Sequence, residues 1–213
     1  MRRRNLTWTI GGGALILSGV IVMARSITLG SSMSPTLTVT AEIAWSVGVT
    51  VFAVGRTRYE SVVARRPLGL VAMLTLAWWQ IVARIFFDLM TPSQGFATPE
   101  SIPPAYVAFG YLSLVIPLAA GIIAAVQIAR TRIVPSPWRW APLWVLGLSV
   151  AVGVLTQGMY ATTTFSQQAL ADLTALLGAL TSLASTIGLG VLALILSERG
   201  RTTSVHIFRS GQP

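Results

Sequence analysis

Apolar residues run along this chain in six long blocks, parted by short polar or charged connections. The blocks cover roughly 7–23, 36–55, 68–90, 105–129, 141–160 and 169–197. A helix rises 1.5 Å per residue, so about twenty apolar residues cross the ~30 Å hydrocarbon layer of a bilayer. All six blocks qualify or nearly do. The second is the weakest, because it carries Glu42, Trp45 and several threonines, and the third carries Arg84 and Asp88 near its end. The pattern predicts an all-α fold, a polytopic membrane helix bundle with six transmembrane helices. It predicts a single transmembrane domain over 1–213, no soluble domain, and a short cytoplasmic tail over 198–213.

Composition strengthens this reading. Hydrophobic residues make up 54% of the chain and charged ones 10%, against about 25% charged in globular proteins. Too little polar material is present to coat a soluble surface. A net charge of +9 would point to nucleic acid in a soluble protein. Here the placement of the arginines decides otherwise. Arg2, Arg3 and Arg4 precede the first block. Arg56, Arg58, Arg65 and Arg66 follow the second. Arg130, Arg132 and Arg139 follow the fourth, and Arg199, Arg201 and Arg209 lie in the tail. In a six-span threading all of these fall on one side, and only Arg25 and Arg84 fall toward the other. The positive-inside rule then predicts both termini in the cytoplasm, in a multi-pass cytoplasmic (inner) membrane protein. The lipid bilayer is the expected partner, and nucleic acid is not. A rival reading takes the first block and Val22-Met23-Ala24 as a signal peptide with its cleavage site.

The missing residue types narrow the chemistry. Without Cys there are no thiolate metal sites or cysteine nucleophiles, and without Lys there is no Schiff-base amine. His206, the sole histidine, sits in the tail. Ser149 of Gly147-Leu148-Ser149 therefore has no membrane histidine to activate it. No cofactor, metal or catalytic residue is expected, and the balance leans away from an enzyme.

Ionisable and amide groups at membrane depth are the first candidates. Glu42 lies six residues inside the second block, ~9 Å below its outer boundary, and Arg84 lies ~25 Å from the cytoplasmic boundary at Pro67. Asp88 follows Arg84 at i+4 on the same helical face. Asp172 begins the sixth block and Gln157 ends the fifth. Two arrangements are open. In one, Glu42, Arg84, Asp88, Gln157 and Asp172 line an outward polar vestibule, with Glu42 deepest and Arg84 as counter-ion or anion ligand. In the other, Arg84 pairs with Asp88 along its own helix while Asp172 reaches to water. A charge at the bilayer centre costs ~2.5–3.5 kcal/mol on insertion scales, so these groups need an explanation.

A column of small residues is the second candidate. Thr174, Gly178, Ser182, Thr186 and Gly190 recur every four positions along the sixth block. Gly147 with Ala151, and Ala14 with Ser18, repeat the spacing briefly. Such faces let helix backbones approach closely in lipid. They serve packing within the chain, or an interface with a homo-oligomer or membrane partner subunit. Pro117, mid-way along the fourth block, frees the carbonyl of Ser113 and predicts a kink. Trp45, Trp78 and Trp79 lie inside the layer, as core filling or as a platform for an organic solute.

In size and six-span plan the chain is similar to the vitamin-binding subunits of energy-coupling-factor transporters, whose solute site opens outward. The similarity covers architecture and no motif. Two functions follow from the residues. The first is a small membrane protein acting as a packing or partner subunit of a membrane assembly. The alternative is a small-solute or ion transporter component with an outward-facing polar vestibule.

Overall fold

The computed structural model of the chain describes residues 4–27, 34–56, 60–92, 102–131, 138–161 and 167–202. Every regular element among them is helical. They are α1 (Arg4–Ile27), α2 (Ser34–Val54), α3 (Pro67–Met90) and α4 (Pro104–Thr131), then a 3₁₀ turn (Trp138–Trp140) and α5 (Ala141–Ala161). The chain ends in α6 (Gln167–Leu183), a π-helical turn (Ala184–Gly188) and α7 (Leu189–Thr202). Six stretches are helical, long and apolar enough to cross a membrane, the sixth formed by α6, the π turn and α7 together. The expected block boundaries are close to these. Two details differ: residues 198–202 of the expected tail are helical, and the sixth stretch carries a π turn. Pro117 lies inside the continuous α4. His206, Arg2, Arg3, Arg58, Arg132 and Arg209 lie outside the described residues.

Each helix packs on its neighbours in chain order, and the sixth stretch returns to α1. The result is a ring, α1–α2–α3–α4–α5–α6/α7, with successive helices antiparallel. One end of the ring gathers the arginine-bearing segments; the other is called distal below.

Half of this ring is tightly built. Between α1 and α2, an added Cβ at Gly11 would meet the Phe52 ring at 2.8 Å. The Ser18 hydroxyl donates to the Ala41 carbonyl at 2.8 Å. Between α1 and α7 the two backbones nearly touch. A Cβ on Gly12 would stand 2.9 Å from the Gly190 carbonyl oxygen, and a Cβ on Gly190 would stand 2.9 Å from that of Gly12. Only glycine permits this approach. In α3 and α4, Phe86 stacks on Phe109 with ring centroids 3.8 Å apart, and Trp79 and Phe87 complete the cluster. The other half of the ring is loose. No residue of the Trp138–Tyr160 stretch is buried, and Gly147, Gly153, Gly158 and Gly178 would accept a Cβ without touching any other atom.

At the arginine-rich end, the connection from α2 to α3 folds inward as a plug. An α-helix leaves its last four carbonyls without intrahelical donors. Here each one of α2 is met. Gly55, at φ +54°, turns its N–H to Val51, and the Val62 N–H bonds Phe52. The Ser61 hydroxyl donates to Ala53 at 2.6 Å, and Arg65 Nε donates to Val54 at 2.9 Å. Arg65 Nη2 adds bonds to the carbonyls of Gly55 and Arg56. Ser61 and Val63 are fully buried. The chain then enters α3 through extended Arg66 and Pro67, whose ring fixes the backbone for a first helical turn.

Candidate functional site: a central chamber

The ring does not close on itself in the middle. It surrounds a chamber of about 730 Å³ lined by residues from all six membrane-length stretches, within the ~300–1,000 Å³ typical of small-molecule sites. On α1 the lining runs from Trp8 to Arg25. The seventeen helical steps between them correspond to a depth of ~25 Å. Val62 of the plug, Trp8 and Trp138 lie at its arginine-rich end.

Polar groups on the wall fall into two sets. The distal set is Arg25, Thr38, Glu42 and Gln80. The second set is hydroxyls: Ser18, Ser149, Thr181, Ser182, Ser185 and Thr186. A hydroxyl has one proton to donate. Ser149 donates to Val145, Thr181 to Leu177, and both Ser185 and Thr186 to the Ser182 carbonyl. With Ser18 bonded to Ala41, five of these six hydroxyls have committed their proton to a backbone carbonyl. Most of the chamber wall therefore behaves as an apolar surface.

Glu42 and Arg84 are brought together. Arg84 Nε donates to Glu42 Oε2 at 2.8 Å, and Arg84 Nη2 donates to Oε1, a two-pronged pairing of α3 to α2. Such a planar fork is geometrically specific and stronger than a single charged bond. Glu42 lines the chamber and Arg84 stands behind it. The intrahelical Arg84–Asp88 pairing is not the arrangement found: Asp88 is exposed and adds its charge to the surroundings of Arg84 without bonding it. Gln157 and Asp172 are also exposed, and Asp172 accepts a bond from Gln168 on its own helix at 3.1 Å. Neither lines the chamber, so the five expected residues do not form one cluster.

The small-residue column divides between two surroundings. Thr186 and Gly190 face α1, where a Cβ on Gly19 would come within 2.6 Å of the Thr186 hydroxyl. Gly178 and Ser182 face the chamber, and Thr174 is half-buried. On α1 the matching surface is Gly12 and Gly19, while Ser18 bonds α2. Trp45 lines the chamber, Trp78 bonds Thr50 at 3.2 Å, and Trp79 stacks on Phe109.

Glu60 and Gln127 are among the buried polar groups that the sequence did not single out. Glu60 in the plug is 4% exposed and accepts from the Thr7 hydroxyl at 2.9 Å. Gln127 of α4 is 8% exposed, with its carbonyl oxygen unpartnered among the described residues. Its position inside an apolar stretch was a usable signal. Glu60 sits in a charged connection and offered none. No His, Asp or Glu trio able to hold a metal occurs among the described residues.

Neither a family model, a curated protein nor a solved structure matches the chain.

Proposed function

We propose that this chain is a multi-pass membrane protein, with both termini cytoplasmic, that binds a small, mainly apolar solute in its central chamber. The observation that carries this reading is the chamber itself, lined by all six long helices, with five of its six wall hydroxyls already donating to backbone carbonyls. Its charged groups, Arg25 and Glu42, lie at the distal end, which the arginine distribution assigns to the outside. A solute-handling role fits this better than an ion pathway, because Glu42 is neutralised by Arg84. The chamber offers recognition by shape and apolar contact, with charged groups at one end only. No nucleophile and base meet in it, so the reading is of a binder or carrier.

A filled chamber tests this. Gly178 lines the space and a Cβ there touches nothing, whereas Gly158 is equally unobstructed but outside the lining. In purified protein, Gly178→Phe should abolish binding of an apolar fluorescent probe such as an anilinonaphthalene sulfonate ester, while Gly158→Phe leaves it intact. Equal binding by all three proteins would remove the chamber as the site. A packing or partner-subunit role is favoured by one feature, the exposed surface of α5, and predicts a stable complex that survives mild detergent.

A further inference from the structure

Resting on the chamber reading, we infer that its ligand is a long-chain amphiphile taken from the bilayer itself, admitted sideways past α5 by movement of α6 about the π turn at Ala184–Gly188. Three observations converge on this.

The first is the chemistry of the wall. A hydrocarbon tail needs depth and no hydrogen bonds, and the chamber provides both. Along its ~25 Å depth, more than half the ~30 Å hydrocarbon layer, the wall below Glu42 is made by Val49, Phe52, Met73, Ile128, Leu192 and their neighbours. The head of such a molecule would meet Arg25, Thr38, Glu42 and Gln80 at the distal end. With Glu42 already paired to Arg84, this end suits a small polar group.

The second is the uneven construction of the ring. The plug carries Val62 into the arginine-rich end, and α1, α2, α3 and α7 are held by close backbone approaches and buried bonds. On the opposite side, no residue of α5 through Tyr160 is buried, and its Val145, Leu146, Ser149 and Val152 still line the chamber. One thin, loosely packed helix therefore separates the chamber from the surroundings of the ring.

The third is the position of the π turn. A π turn widens a helix by one residue and leaves its hydrogen-bond ladder locally irregular. Here it falls between two unlike halves of the sixth stretch. Below it, α7 is pinned to α1 at Gly12–Gly190. Above it, α6 exposes Leu173, Leu176 and Leu180 and has open space at Gly178. The turn itself lies against α1, where Gly19 meets Thr186 and Ile187, so a bend where it joins α6 swings α6 without disturbing the α1–α7 contact, and α6 is a neighbour of α5.

The experiment uses the full chain in lipid nanodiscs and two photoreactive probes. One is a diacyl phosphatidylcholine with a diazirine in its acyl chain, which stays in the bilayer. The other is a water-soluble diazirine octanoate. Met73, Val49 and Leu15 line the chamber and are otherwise buried, so they report the interior. Leu114 and Val71 are exposed on the ring and report ordinary lipid contact. The inference predicts diacyl labelling of Met73, Val49 and Leu15, lost in Gly178→Trp and kept in Gly158→Trp. Interior labelling by octanoate alone would overturn the lateral route while leaving the binding chamber standing. Labelling by neither probe would overturn both.

Discussion

Breaking the Glu42–Arg84 pair from either side should cost more than replacing both members. Arg84→Met leaves a carboxylate without its two-pronged partner at the chamber wall, and Glu42→Leu leaves a guanidinium without its acceptor. Losing one member of a fully buried pair costs ~3–5 kcal/mol, because the survivor stays desolvated and unpaired. The side chains here are 33% and 19% exposed, so part of that penalty is relieved by relaxation toward polar surroundings, and ~2 kcal/mol for each single variant is the reasonable scale. Apolar replacement of both removes the desolvated charges together and is often neutral. The double variant Glu42→Leu/Arg84→Met should therefore lie within ~1 kcal/mol of the parent, a coupling of about 3 kcal/mol between the two sites. At ~2–4 °C per kcal/mol for a chain of this size, each single variant should melt ~4–8 °C lower in a fixed detergent. The double variant should recover most of that loss. Additive losses, with the double variant the least stable of the three, would refute the pairing as a stability element.

Other contacts make separable predictions. Gly190→Leu should destabilise strongly or block folding, since even a Cβ would stand 2.8 Å from Ile16 and 2.9 Å from the Gly12 carbonyl; Gly158→Leu should melt with the parent. Gly55→Ala should lose at least ~1–2 kcal/mol, because its φ of +54° suits glycine and a Cβ would meet the Ser61 nitrogen at 2.5 Å; an unchanged melting temperature would argue against the plug. Arg65→Met removes three bonds to carbonyls and should cost ~1–2 kcal/mol, whereas Arg66→Met, with the same change of charge, should stay within ~0.5 kcal/mol. Equal effects would mean that Arg65 acts through charge alone.

The helices were legible because a helix long and apolar enough to cross a bilayer needs an apolar run of about twenty residues, and six such runs stand in the sequence. Their ring arrangement was not, because apolarity is the same toward lipid and toward a neighbour. Glycine spacing carried part of that information. Gly12 and Gly190 each mark a close approach, but nothing in either position names its partner. The Glu42–Arg84 pair shows the same boundary. Both residues stood out by their depth, yet the i+4 spacing made Asp88 the simpler partner for Arg84, and only the α2–α3 packing favours Glu42. Arg65 looked like one more orienting charge, and its capping of α2 depends on a backbone path through left-handed Ala64 and Arg65. The chamber itself arises from what the helices leave unfilled, a property of six faces at once that no single stretch encodes.

The most direct test is the density inside the ring in a cryo-electron microscopy map of the parent protein purified in lipid nanodiscs. One elongated, chain-like feature should run from the level of Glu42 toward Val62 and be absent from the Gly178→Trp variant. A ring whose α5 has moved inward to fill the space, leaving no chamber in either protein, would contradict the chamber reading.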